Sequence, residues 1–163
     1  MGRTRKQVVI VGGGFAGLSA LVALKGRHDA VLVDGTPDFE FTPHVPEIIS
    51  GVKRPKELRL SRSKVADRLD QSFVEARAER VDLRARVVHV AGGRQLAYDA
   101  LVLAPGGAVV GADVPGVAEH AFPAHRIEGA AAIALRLSTL GYGSPFSETS
   151  YSLSWACGRG PGG

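Results

Sequence analysis

The stretch that most constrains the fold is Val8 to Asp34, VVIVGGGFAGLSALVALKGRHDAVLVD. Val8, Val9, Ile10 and Val11 are consecutive β-branched residues, the pattern of a strand buried on both faces. Gly12, Gly14 and Gly17 follow in G-x-G-x-x-G spacing and open a run that carries Leu18, Leu21, Val22 and Leu24 as an apolar helical stripe. A second apolar strand, Ala30 to Val33, runs into Asp34, 22 residues after the first glycine. Strand, turn, helix and strand in this order predict a βαβ unit, and with it an α/β domain on a parallel sheet.

Each part has a physical role if the ligand is a dinucleotide. Gly12 permits the tight turn out of the strand, Gly14 lets backbone approach a pyrophosphate without a Cβ in the way, and Gly17 lets helix pack closely on strand. The helix N-terminus, at Phe15 and Ala16, offers N–H groups without intrahelical acceptors and the positive end of the dipole. Asp34 would accept hydrogen bonds from ribose hydroxyls. The competing reading is a glycine-rich turn in a purely structural βαβ unit, since 21 of the 163 residues are glycine. The ordered combination of strand, glycines, helix, strand and acid argues for the dinucleotide.

Length and composition set the remaining bounds. At 163 residues, 45% hydrophobic and 22% charged, the chain suits a single globular domain, not a disordered segment. No apolar run approaches the roughly 20 residues of a membrane span. The basic N-terminus MGRTRKQ leads straight into the first strand, so no signal peptide is expected. Cys157 is the single cysteine, which excludes an internal disulfide and a cysteine-rich metal site and accords with the cytoplasm. The net charge of +4 is modest and its basic residues are scattered among acids, so no nucleic-acid partner is expected. The densest basic cluster, Lys53, Arg54, Lys56, Arg59, Arg62, Lys64 and Arg68, could touch phosphates or an anionic membrane; a solvated loop and helix face is the expectation.

Further along, DFEFTPHVPEIISG carries Phe39 and Phe41 among acids, and Pro43 and Pro46 argue against a regular helix across it. Such a loop could wall a planar ring system, or be a surface loop pinned by prolines. Residues 57–69 suggest a short helix. Ser72 to Glu75 reads as a third parallel strand, Ala76 to Tyr98 as a small antiparallel meander with a turn at Gly92 and Gly93, and Ala100 to Ala104 as another buried parallel strand. His125 to Leu140 is an amphipathic helix. Beyond it the composition changes: the last 22 residues hold two charges, Glu148 and Arg159, against 34 in the preceding 141. Residues 141–163 are therefore expected to be a disordered or frame-shifted tail behind a domain of residues 1–140.

The glycine fingerprint, the F-x-F-T-P-x-x-P-E segment at Phe39 to Glu47 and YDALVLAPGG at Tyr98 to Gly107 together resemble the FAD domain of type II NADH:quinone dehydrogenases and other pyridine nucleotide-dependent flavoproteins. Pro105 stands where that family more often has Thr, and Val114, Pro115 and Gly116 match its V-P-G turn. The resemblance implies a Rossmann-like FAD-binding domain, here incomplete, with a parallel sheet and a β-meander. It implies that Pro43, Ala104 and Gly106 approach the flavin and that Ala78 meets adenine through its backbone. It also implies FAD as cofactor, NAD(P)H as co-substrate and a quinone or other small-molecule electron acceptor.

In relatives a helix like His125 to Leu140 leads to a second glycine fingerprint for NAD(P)H, which does not follow here. Full-length relatives associate peripherally with membranes, which adds the inner face of the membrane to the cytoplasm as an expected location. Paired redox cysteines, needed by disulfide and sulfide:quinone reductases, are not available to a chain with Cys157 alone. His44 lies beside the flavin loop as a ring contact or proton donor; His89, His120 and His125 show no metal-ligand spacing, so no metal is expected and no catalytic residue is assigned. Two alternatives stay open: a non-catalytic nucleotide-binding remnant, and a single-fingerprint NAD(P)-binding protein.

Overall fold

The computed structural model describes residues 4–108 and 114–142. They divide into two compact units, residues 4–42 with Leu58–Ala121, and Pro43–Glu57 with residues 122–142. The predicted tail from residue 143 onward, including Cys157, lies outside the described residues.

The first unit is organised on β1 (Gln7–Val11), which leads through the glycine turn into α1 (Phe15–Leu24) and back to β2 (Asp29–Asp34). The strands pair in parallel, Val11 opposite Val33, as the βαβ reading requires. Val9 and Ile10 are fully buried and face opposite sides of the sheet. Val8, Ile10 and Leu32 pack with Leu21 of α1, whereas Val9 and Val33 pack with Val88, Val90 and Leu96. Burial on both faces is what an uninterrupted β-branched run without polar alternation signals. Val22 is the exception on the helix: it is exposed, contrary to its place in the expected stripe. Gly17 and Leu21 fix which face of α1 meets the sheet, and Val22 lies about 100° round the helix from Leu21.

After β2 the chain forms β3 (Asp38–Glu40), a 3-10 turn at Thr42–His44, α2 (Val45–Ile49) and a second 3-10 turn at Pro55–Leu58. The short β4 (Arg59–Ser61) returns antiparallel to β3 and leads into α3 (Arg62–Arg68). Two expectations are corrected here. Pro46 does not prevent a helix, because it sits in the first turn of α2, where no intrahelical N–H bond is lost. The helix expected over 57–69 is shorter, with Ser61 as N-cap: its hydroxyl accepts from the Lys64 N–H, and the residues before it belong to the 3-10 turn and β4.

Next come β5 (Ser72–Glu75), parallel to β2, and the meander β6 (Ala78–Asp82), β7 (Val87–Val90) and β8 (Gln95–Ala97), antiparallel throughout. β9 (Ala100–Leu103) then pairs in parallel with β1, giving the sheet order β5-β2-β1-β9. Gln71 is buried between α3 and β5. Its Oε1 accepts the Ala30 N–H at 2.5 Å and its Nε2 donates to the His28 carbonyl at 3.1 Å, tying down the start of β2. After β9 a short α4 (Val117–His120) follows the turn at Gly116.

In the second unit α2 packs against α5 (Ile127–Thr139), burying Val45, Ile48, Ile127, Ala130 and Ala134. α5 matches the expected amphipathic helix, shortened by two residues at its start and one at its end. Among the described residues no helix is long and apolar enough to cross a membrane.

Candidate cofactor site

Three strands of the sheet end side by side, because Val11 lies opposite both Val33 and Leu103. The chain segments that leave them carry Gly12, Asp34 and Ala104. Gly12 has φ of +100° and donates its N–H to the Val33 carbonyl at 2.8 Å, while Ala104 donates to the Val11 carbonyl at 2.8 Å. A Cβ on Gly12 would overlap the Ala104 carbonyl and lie 3.1 Å from Pro105 Cα. The first fingerprint glycine is thus required twice, by a backbone conformation that L side chains rarely adopt and by the crossing strand end. Gly17 is required by contact alone: a Cβ there would overlap the Gly12 carbonyl oxygen.

Gly14 differs from both. It is the N-cap of α1 in extended conformation, no side chain caps the helix, no acid lies in its first turn, and a Cβ added at Gly14 would meet nothing within 4 Å. α-Helical geometry leaves the first N–H groups of α1 without intrahelical acceptors, so open space, positive dipole and free donors coincide. Phe15 and Ala16 are exposed beside that space. The Phe15 ring meets Phe39 edge-on at 4.9 Å and Phe41 at 5.6 Å between centroids, with Phe39 buried as the anchor of β3. This arrangement fits a phosphate-bearing ligand: an anion meets helix donors, and the first turn of α1 itself carries no acid.

Asp34 reaches this turn from the end of β2. Its Oδ2 accepts the Gly13 N–H at 2.7 Å; its Oδ1 accepts the Thr36 N–H at 3.0 Å and the Thr36 hydroxyl at 2.8 Å. Arg62 Nη2 stands 3.6 Å from Oδ2 as an ion pair. The side chain is 19% exposed, so it is reachable, but its roughly four acceptor positions already have partners. A further donor arriving at Asp34 would therefore share an oxygen with these partners.

Arg62 was expected on a solvated basic face and is instead buried. Its Nε donates to the Gly13 carbonyl at 2.9 Å, and its Nη1 to the Thr36 carbonyl at 2.7 Å, the Thr36 hydroxyl at 2.9 Å and the Asp38 carbonyl. Burial pushes its pKa below the ordinary value against the opposing pull of Asp34, Asp38 and Glu40; the guanidinium stays charged at neutral pH. The sequence did hold a signal for this. Arg62 lies one helical turn before Ala66, a buried residue of the core, so it shares the inward face of α3.

Gly106 is exposed with φ of +74°. Ala78 opens β6 opposite Val90, two residues after Ala76, whose N–H bonds the Asp34 carbonyl at 2.9 Å. Pro43 belongs to the other compact unit, within the 3-10 turn Thr42–His44. His44 pairs with Glu47 at 2.9 Å, and His89 Nε2 lies 2.7 Å from Arg80 Nη2. Among the described residues no group of His, Cys, Asp and Glu could hold a metal ion.

Comparison with known proteins gives a consistent picture. The family described as pyridine nucleotide-disulphide oxidoreductase matches residues 6–140. An NADH dehydrogenase-like protein of Mycobacterium tuberculosis is 32% identical over 142 residues, covering 84% of this chain and 36% of the relative. A sulfide-quinone reductase of Aquifex aeolicus is 28% identical over 104 residues, covering 62% of this chain and 24% of the relative. The X-ray structure of the sulfide:quinone oxidoreductase from that bacterium superposes with a TM-score of 0.76 at 26% identity, over 84% of this chain and 32% of that one. The chain thus spans about a third or less of the length of the relatives it matches.

Proposed function

Since the chain belongs to the pyridine nucleotide-disulphide oxidoreductase family, we propose that residues 1–140 are the FAD-binding portion of an NAD(P)H-dependent flavin oxidoreductase. In this reading electrons pass from NAD(P)H through FAD to a quinone or another small-molecule acceptor, in the cytoplasm or at the inner face of the membrane. The observation that carries it is the turn after β1, where Gly12 meets both Ala104 and Gly17 and Gly14 opens onto empty space at the α1 N-terminus. The quinone rests on the names of relatives, a sulfide-quinone reductase of Aquifex aeolicus and an alternative NAD(P)H-ubiquinone oxidoreductase of Arabidopsis thaliana.

Bound flavin supplies the hydride-accepting and electron-transferring chemistry; the protein supplies binding and orientation. The N–H groups at Phe15 and Ala16 hold the pyrophosphate, with Gly14 giving it room. Asp34 takes ribose hydroxyls, backbone at Ala78 takes adenine, and Pro43, Ala104 and Gly106 lie toward the flavin. The single Cys157 supplies no redox pair, so these 163 residues carry flavin binding without disulfide chemistry.

The test is reconstitution of the purified protein with FAD, followed by the visible absorption spectrum and NADH oxidation with a soluble quinone. A stoichiometric flavin band is the expected result. NADH bound without flavin would replace this reading with a single-fingerprint NAD(P)-binding protein, and flavin bound without turnover would make the segment a binding domain only.

A further inference from the structure

We propose that Arg62 is a positioning residue for dinucleotide recognition, fixing the Asp34 carboxylate and the glycine turn as one rigid unit; the proposal rests on the FAD reading above. Its guanidinium joins four residues on two pieces of chain, the glycine turn and the segment after β2: Gly13 through its carbonyl at 2.9 Å, Thr36 through its carbonyl and hydroxyl at 2.7 and 2.9 Å, Asp38 through its carbonyl, and Asp34 through the ion pair at 3.6 Å. The Thr36 hydroxyl relays this hold, since it accepts from Arg62 Nη1 and donates to Asp34 Oδ1 at 2.8 Å. Gly13 closes the circuit by donating its N–H to Asp34 Oδ2 at 2.7 Å.

Two observations separate this from ordinary core packing. The inward face of α3 that carries Arg62 also carries Ala66, buried in an apolar cluster, so an apolar residue at position 62 would fill the space without the cost of desolvating a guanidinium. Gly13, moreover, lies outside the three glycines that the G-x-G-x-x-G spacing requires. A Cβ on it would overlap Arg62 Nε and lie 2.6 Å from Cδ, so the glycine matches the arginine 49 residues away. A buried charge whose Nε and Nη1 donate to the turn and to the segment after β2 serves geometry more than stability. What it orients is the carboxylate that meets the ribose.

The experiment measures binding of ADP and 2′-deoxy-ADP to the purified protein by calorimetry, beside FAD. Wild type should prefer ADP by about tenfold, the size of one hydrogen bond to a charged acceptor. In Arg62→Gln that preference should fall below about twofold, and Arg62→Lys should restore part of it. If Arg62 merely supported the fold, both ligands would weaken equally and the preference would survive, which overturns the proposal. Should Arg62→Gln fail to fold by circular dichroism, Thr36→Val interrupts the relay without emptying the buried space; a preserved preference there is equally fatal. Wild type that binds FAD without discriminating the two nucleotides overturns this inference and leaves the FAD reading standing. Wild type that binds neither FAD nor ADP overturns both.

Discussion

The carbonyl oxygen of Gly12 occupies the space that a β-carbon on Gly17 would need. The turn out of β1 and the first turn of α1 are therefore in backbone contact, and the helix sits as close to the sheet as the chain allows. Gly17→Ala should push α1 away from Ile10 and Leu21's neighbours, destabilising the protein by about 1–3 kcal/mol, the usual scale of overpacking. Urea denaturation checks this; a midpoint equal to that of wild type would show that the helix shifts without cost.

Gly14 provides the contrasting case. Its φ of −79° suits any residue and an added Cβ meets no protein atom. Gly14→Ala should cost only about 0.5–1 kcal/mol of stability, the difference between Gly and Ala at an N-cap. It should nonetheless lower flavin affinity by about tenfold or more, a loss of about 1.4 kcal/mol in binding, because the new methyl enters the space assigned to the pyrophosphate. Unaltered affinity in a titration followed by flavin fluorescence would move the phosphates elsewhere.

Gln71 satisfies a backbone donor and a backbone acceptor at the start of β2 from a buried position. Gln71→Leu keeps the bulk and removes both partners. The expected cost is about 1–3 kcal/mol, set by the buried Ala30 N–H left unpaired. Hydrogen exchange at Ala30 should accelerate along with the lowered denaturation midpoint.

Asp82 gives the β6–β7 turn a dependence on pH. The N–H of Ala85 chiefly, then that of Arg84 with the charges of Arg80 and His89, hold its carboxyl below the ordinary value of 3.8, against a smaller opposing effect of burial. Since the folded value lies below the unfolded one, this stabilisation is present above about pH 4 and is lost as pH falls through the folded value. Asp82→Ala should remove this part of the acid dependence, seen as a flatter stability profile below pH 4 in denaturation at stepped pH. An unchanged profile would assign the acid limb to other carboxylates.

Much of this architecture is legible in the residues themselves, for reasons that mark where legibility ends. The β1–α1–β2 unit and the strands at Ser72–Glu75 and Ala100–Leu103 announce themselves by local apolar pattern, although the latter two flank the sheet and are only half-buried, so the burial expected for Ala100 to Ala104 is not reached. β3 and β4 do not: each is three residues long and exists because Phe39 faces Leu60 across the pair, a relation that no local window contains. Val22 was misassigned because a stripe counts apolar residues without knowing which of them the contact at Gly17 selects. Arg62 was hidden by its charge, which made it resemble its exposed neighbours Lys64 and Arg68. The fingerprint glycines are legible as a tight turn between strand and helix, but apart from Gly13 the partners that hold Asp34 come from Thr36 and from α3, outside that spacing.

The parallel pairing of β1 with β9 also sets a timetable. Gln7 donates its N–H to Asp99, 92 residues later. At roughly 5–20 residues per second of synthesis, one flank of β1 waits about 5–20 s for its partner. Gly12 meets Ala104 only after that interval, so the floor beneath the glycine turn is among the last parts of this sheet to be laid, and a nascent chain stalled before residue 104 would present the turn without it.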